Sequence, residues 1–108
     1  MEIKTNTEGS TLTISVSGRV DTVTAPELEA GLKFGDATKV VIDLADVPYM
    51  SSAGLRLMLT AHKTMMAKGG TLQIAGVQPS VKEVFDITGF SDILNIIYRL
   101  PPDRKDRK

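Results

Sequence analysis

The chain has 108 residues, thirteen Lys and Arg against thirteen Asp and Glu, 42% hydrophobic residues and no cysteine. This suits one globular domain, leaves no basic excess for nucleic acid or an anionic membrane surface, and excludes disulfides and thiolate metal sites. No run approaches the roughly 20 apolar residues of a membrane span and MEIKTNTEGS lacks a signal-peptide core, so the expectation is a soluble, cytoplasmic protein without membrane insertion.

Ile3 starts a short strand and Glu8-Gly9-Ser10 marks a turn. Leu12, Ile14 and Val16 then alternate with Thr11, Thr13, Ser15 and Ser17. Period two means a strand with one buried face, so the two runs predict an antiparallel hairpin. Gly18 to Asp21 closes the second strand. Thr24, Pro26 and Glu27 resemble a capping box with proline in the first helical turn. Ala25, Leu28 and Leu32 supply that helix's inward face, and Gly35 is expected to end it.

Lys39 to Leu44 is a continuous apolar strand, the kind found at a sheet centre. A helix follows Ser52, with Leu55, Met58, Leu59, His62, Met65 and Met66 on one face. Lys68-Gly69-Gly70 stops it. Thr71 to Ala75 is another strand. Pro79-Ser80 opens a third helix, with Val81, Val84, Phe85 and Thr88 inward and Gly89 at its end. Phe90 to Leu94 is a short turn, and Ile96-Ile97-Tyr98 is a last strand candidate. The order β-β-α-β-α-β-α-(β) predicts an α/β (mixed α+β) domain over residues 1–98. Its sheet has four to five strands covered by helices, and its strand–helix–strand units imply parallel pairing after the hairpin. Residues 99–108 hold five basic and two acidic side chains without periodicity and are expected to form a disordered tail.

The stretch from Val40 to Leu59 carries the chemistry. A buried strand ends near Asp43-Leu44, a loop carries Asp46, Pro48 and Tyr49, and Ser51-Ser52-Ala53-Gly54 begins the helix. N–H groups at a helix start have no intrahelical partners and carry partial positive charge. A serine hydroxyl there caps the helix, and a phosphate there is held by the same N–H groups. The residues alone leave both readings of Ser51 and Ser52 open. Asp21 reads as a turn or cap residue, Asp43 as structural, and His62 as packed. Leu57 lies roughly opposite the buried stripe, near Arg56 and Thr60, and the three suggest a partner surface. No nucleophile elbow, Walker-type loop or metal-ligand spacing is present. No enzyme, cofactor or metal is therefore expected.

Asp43-Leu44-Ala45-Asp46-Val47-Pro48-Tyr49-Met50-Ser51-Ser52-Ala53-Gly54-Leu55 resembles the signature of the STAS domain, the family of bacterial anti-sigma factor antagonists. Gly18-Arg19-Val20-Asp21, Lys68-Gly69-Gly70 before a strand, and Val84-Phe85-Asp86-Ile87-Thr88-Gly89-Phe90 are similar to further family features. The resemblance spans about residues 1 to 98. It implies partner switching. The unphosphorylated protein binds an anti-sigma factor that is also a serine kinase, the kinase phosphorylates the helix-start serine, and a manganese-dependent-class phosphatase restores it. Carried over by position, the acceptor falls on Ser52, with Ser51 as second choice, and Asp21 and Gly54 fall beside it. The family's aspartate before the acceptor is replaced by Ser51, which removes a charge and adds a hydroxyl. Two alternatives stand beside the switch. One is a constitutive interaction subunit, such as the STAS subunit of bacterial lipid-transport ATPases. The other is a nucleotide-binding sensor.

Overall fold

The computed structural model describes residues 1–97, so the expected tail lies outside the described residues. Strands β1 (Glu2–Glu8) and β2 (Thr11–Ser17) form the antiparallel hairpin, in register from Glu2 opposite Ser17 to Glu8 opposite Thr11. Helix α1 (Ala25–Gly31), strand β3 (Lys39–Asp46), helix α2 (Ser52–Ala67), strand β4 (Thr71–Ala75), helix α3 (Pro79–Thr88), a 3-10 turn (Phe90–Asp92) and strand β5 (Ile96–Ile97) follow. The strands form one mixed sheet in the order β1-β2-β3-β4-β5, with β2–β3, β3–β4 and β4–β5 parallel. No helix among the described residues is long and apolar enough to cross a membrane.

β3 is central, and Val40, Val41, Ile42, Asp43 and Leu44 are all buried. A continuous apolar run needs cover on both faces, and only the middle of a covered sheet supplies it. β2 keeps its alternation, with Leu12, Ile14 and Val16 in the core. β1 is an edge strand whose only half-buried side chain is Ile3.

The helices fit their expected faces with three corrections. α1 ends at Gly31, before Gly35. Phe34 turns back into the core, and Gly35, at φ 55°, serves the turn after it. On α2 the buried stripe is Leu55, Met58, Ala61 and Met65, with Leu59 and His62 half-buried, while Met66 is 59% exposed. The stripe passes through a small alanine, which lets α2 approach its neighbours closely, and Met66 falls outside its arc. On α3 Val81 and Phe85 are buried, but Thr88 faces solvent. Its hydroxyl donates to the Val84 carbonyl at 2.8 Å, a local bond that replaces burial.

The end of α2 is pinned from below. Lys68 Nζ donates to the Gly35 carbonyl at 2.6 Å. A Cβ on Gly70 would sit 2.6 Å from the Thr38 carbonyl oxygen, so only glycine permits this approach of chain to chain.

Candidate functional site

The candidate site is built where β2 runs on past its end and zips onto the loop after β3. Asp43, 1% exposed, ties the base of this region. Its Oδ1 accepts from the Ala45 N–H at 2.9 Å and its Oδ2 from the Ser15 hydroxyl at 3.4 Å, so it joins β2 to the turn leaving β3. Higher up, Gly18 N–H donates to the Asp46 carbonyl and Val20 N–H to the Tyr49 carbonyl, each at 3.0 Å, while Ser51 N–H donates to the Val20 carbonyl at 2.8 Å. Val20 and Met50 form a parallel bridge, and both side chains are buried. With Val20 and Met50 inward, their neighbours Arg19, Asp21 and Tyr49 are left at the surface beside the start of α2. The bridge register sets Asp21 level with Ser51.

Asp21 organises the turn that leads into α1. Its Oδ1 accepts from the N–H groups of Val23 and Thr24, each at 3.0 Å. Thr24 has helical dihedrals and makes no cap bond. Its hydroxyl accepts from the Asp21 N–H and donates to the Arg19 carbonyl, both at 2.9 Å, so the expected capping box gives way to a closed Asp21–Thr24 turn. The Thr24 N–H above all, then the Val23 N–H, the Thr24 hydroxyl and Arg19, hold the Asp21 carboxyl below its ordinary value of 3.8. A depressed carboxylate pKa adds stability that is present above the unfolded value and lost as pH falls through the folded one. The Asp21→Asn variant is therefore expected to be less stable than the wild-type chain at neutral pH. The gap should close as pH drops below about 3.8, read as melting temperature against pH. A gap that stays constant down to acid would remove the charge from this account.

Ser51 occupies the N-cap position of α2 in extended conformation, but its hydroxyl makes no cap hydrogen bond. Its Oγ is enclosed by protein without a hydrogen-bond partner among the described residues. Ser52 is the first residue of α2 and is exposed. The first turn of α2 has no acidic side chain. Gly54 is buried, and a Cβ there would lie 2.6 Å from both Met50 Cγ and Val20 Cγ1. This glycine lets the helix start sit directly on the bridge.

Arg56 and Thr60 are exposed along α2. Leu57 departs from its expected place. It is half-buried, packs against the core, and lines a groove of about 290 Å³ with Leu32 and Phe34 from the α1 region and Thr60, Ala61 and Thr64 from α2. α1 packs beside α2 and covers a side chain that helical spacing alone turns to solvent. Ser52, Arg56 and Thr60 thus share one helical line, and Leu57 sits in the groove beside it.

A family model described as the STAS domain matches residues 2–101. The chain belongs to the STAS domain family. An anti-sigma-B factor antagonist of Staphylococcus epidermidis is 33% identical over 99 residues, which cover 89% of this chain and 92% of that protein. Among solved structures, an anti-sigma factor antagonist from Mycobacterium paratuberculosis has a TM-score of 0.81 at 23% identity, covering 89% of this chain and 84% of its own. The unphosphorylated form of the anti-sigma factor antagonist SpoIIAA has a TM-score of 0.73 at 19% identity, covering 88% and 87%. The two structural likenesses carry the fold: a STAS-type mixed sheet with helices, as expected from the order of elements.

On this STAS domain, the sequence reading missed the surface in front of the helix start. Arg19 Cζ lies 4.4 Å from the centroid of the Tyr49 ring, and Arg19 Nε lies 3.6 Å from Asp21 Oδ2. Tyr49 is 42% exposed and Val23 is 86% exposed. Exposed Tyr and Arg beside each other are typical of residues that carry binding energy at interfaces. The available signal was an aromatic just after Pro48 in the loop, opposite the Gly18-Arg19-Val20-Asp21 segment.

Proposed function

We propose that this chain is an anti-sigma factor antagonist acting by partner switching, with Ser52 as the phosphoacceptor. Unphosphorylated, it binds an anti-sigma factor that is also a serine kinase, through the surface around Asp21, Tyr49, Ser52, Arg56, Leu57 and Thr60. The Ser52 oxygen attacks the γ-phosphorus of ATP and the bond to ADP breaks. The hydroxyl proton passes to a base of the kinase. A serine phosphatase of the manganese-dependent class removes the group as inorganic phosphate. The observation that carries this reading is the position of Ser52. It is exposed, first in α2, at a helix start without a side-chain cap. The relatives named anti-sigma-B factor antagonists support the partner class.

The switch has a physical basis. A phosphate adds about −1.5 to −2 charge. At a helix start that charge is stabilised by about 0.3–2 kcal/mol, so the fold tolerates it. In an interface the same group must shed water at a cost of several kcal/mol if unpaired.

The test is to isolate the partner by pull-down, add ATP, and locate the phosphate by mass spectrometry. Phosphate on Ser52 with loss of the complex is the expected result. Phosphate on Ser51 would move the acceptor by one residue. A complex that forms and never takes up phosphate would overturn the switch in favour of a constitutive interaction module. Ser51 in place of the aspartate expected from the family resemblance is the observation that favours this second reading.

A further inference from the structure

We propose that Arg56 is the internal counter-ion of a phosphoryl group on Ser52, so that the helix carrying the modification also holds it. This rests on the reading of Ser52 as the acceptor. Both residues are exposed and stand four apart on α2. Residues at that spacing lie one above the other on a helix, with Cβ atoms about 5–6 Å apart, and an anion N-terminal to a cation is the favoured order. A guanidinium is a planar fork that can bind two phosphate oxygens at once. Among the described residues, Arg56 has no ion pair or side-chain hydrogen bond from which it must be drawn. No acidic side chain in the first turn of α2 competes for it.

Arg19, set beside the helix start by the Val20–Met50 bridge, is engaged. Its guanidinium lies over Tyr49 and near the Asp21 carboxylate. Arg56 is the free one. Phosphorylation then changes the surface twice. It adds a dianion at Ser52, and it withdraws Arg56 from whatever acidic group a partner presents to it. The charge of the Ser52–Arg56 pair passes from +1 to between about −0.5 and −1, since the phosphate carries about −1.5 to −2.

The test installs phosphoserine at position 52 during translation, without any kinase, and follows the phosphate by phosphorus NMR as pH is varied. Loss of a paired cation raises the pKa of the anion. The R56Q variant should therefore titrate about 0.3 of a pH unit above the wild-type chain, a roughly twofold change in acid constant. R56K should recover part of the difference, and R19Q should move the midpoint less than R56Q. Equal midpoints for the wild-type chain and R56Q would overturn the proposal, as would a shift seen only in R19Q. Because the phosphate is placed synthetically, a null result here leaves the kinase reading standing. Failure of the kinase assay would likewise leave this pairing measurable.

Discussion

The Ser52→Asp variant is expected to keep its fold and lose its partner. Ser52 is exposed, and among the described residues it has no side-chain hydrogen bond that the substitution would break. Surface changes of this kind alter stability by about 0.5 kcal/mol, a melting shift of about 3 °C in a domain of this size. A carboxylate in the first helical turn even gains from the dipole. In the complex the balance reverses. A carboxylate forced into an interface must lose water there, a cost that Arg56, four residues on, offsets only in part. A penalty of about 3 kcal/mol is an affinity loss on the order of 100-fold. Calorimetry with the isolated anti-sigma partner measures it directly. An affinity within threefold of wild type, with the same melting temperature, would remove Ser52 from the interface.

The largest loss of stability is expected from Gly54→Val. The site has no spare room at this point. A Cβ alone would come within 2.6 Å of Met50 Cγ and Val20 Cγ1, and these two residues are 2% and 0% exposed. Neither can swing into solvent, and they are the bridge on which the helix start rests. Two further methyl carbons must push the bridge apart or displace α2. Overpacking of a tight core costs about 3 kcal/mol at its upper range, a melting decrease of about 12–20 °C here. Gly54→Ala should cost less, because alanine recovers about 1 kcal/mol of helix propensity. A thermal scan decides the matter: a valine variant melting within about 4 °C of wild type would mean that the core gives way more easily than its packing indicates.

The fold was legible because its signals are local. Alternation in Leu12, Ile14 and Val16, the unbroken run from Val40 to Leu44, and glycines after each long helix mark strands and helices without reference to anything distant. The misreadings came where a tertiary contact outvoted a local rule. Thr24 has the sequence context of a cap, but its hydroxyl is taken by the Arg19 carbonyl. Ser51 stands at the N-cap position, yet its Oγ makes no cap hydrogen bond. Leu57 falls on the solvent side of an isolated helix and becomes half-buried because α1 lies beside it. The candidate site was legible in part for the same reason. Ser51, Ser52, Gly54 and Arg56 are neighbours in sequence. The stacking of Arg19 on Tyr49 joins residues thirty positions apart, and only the parallel bridge of Val20 with Met50 brings them together.

The strand order has a consequence for how the domain comes into being. Each strand of the sheet pairs with the one before it and the one after it in the chain, from β1 to β5. No strand waits for a later one to be inserted between it and its neighbour. Each parallel closure spans a single crossover, and closure entropy grows only slowly with the length of the loop. During synthesis the sheet can grow by one edge as the chain emerges, N-terminal part first. The candidate site is completed later, because Gln78 Nε2 donates to the Ala45 carbonyl at 2.7 Å and the Ser80 hydroxyl to the Pro48 carbonyl at 2.9 Å, holding the loop before Ser52 from the start of α3. The surface around Ser52 is thus fixed only once β4 and the start of α3 have joined the sheet.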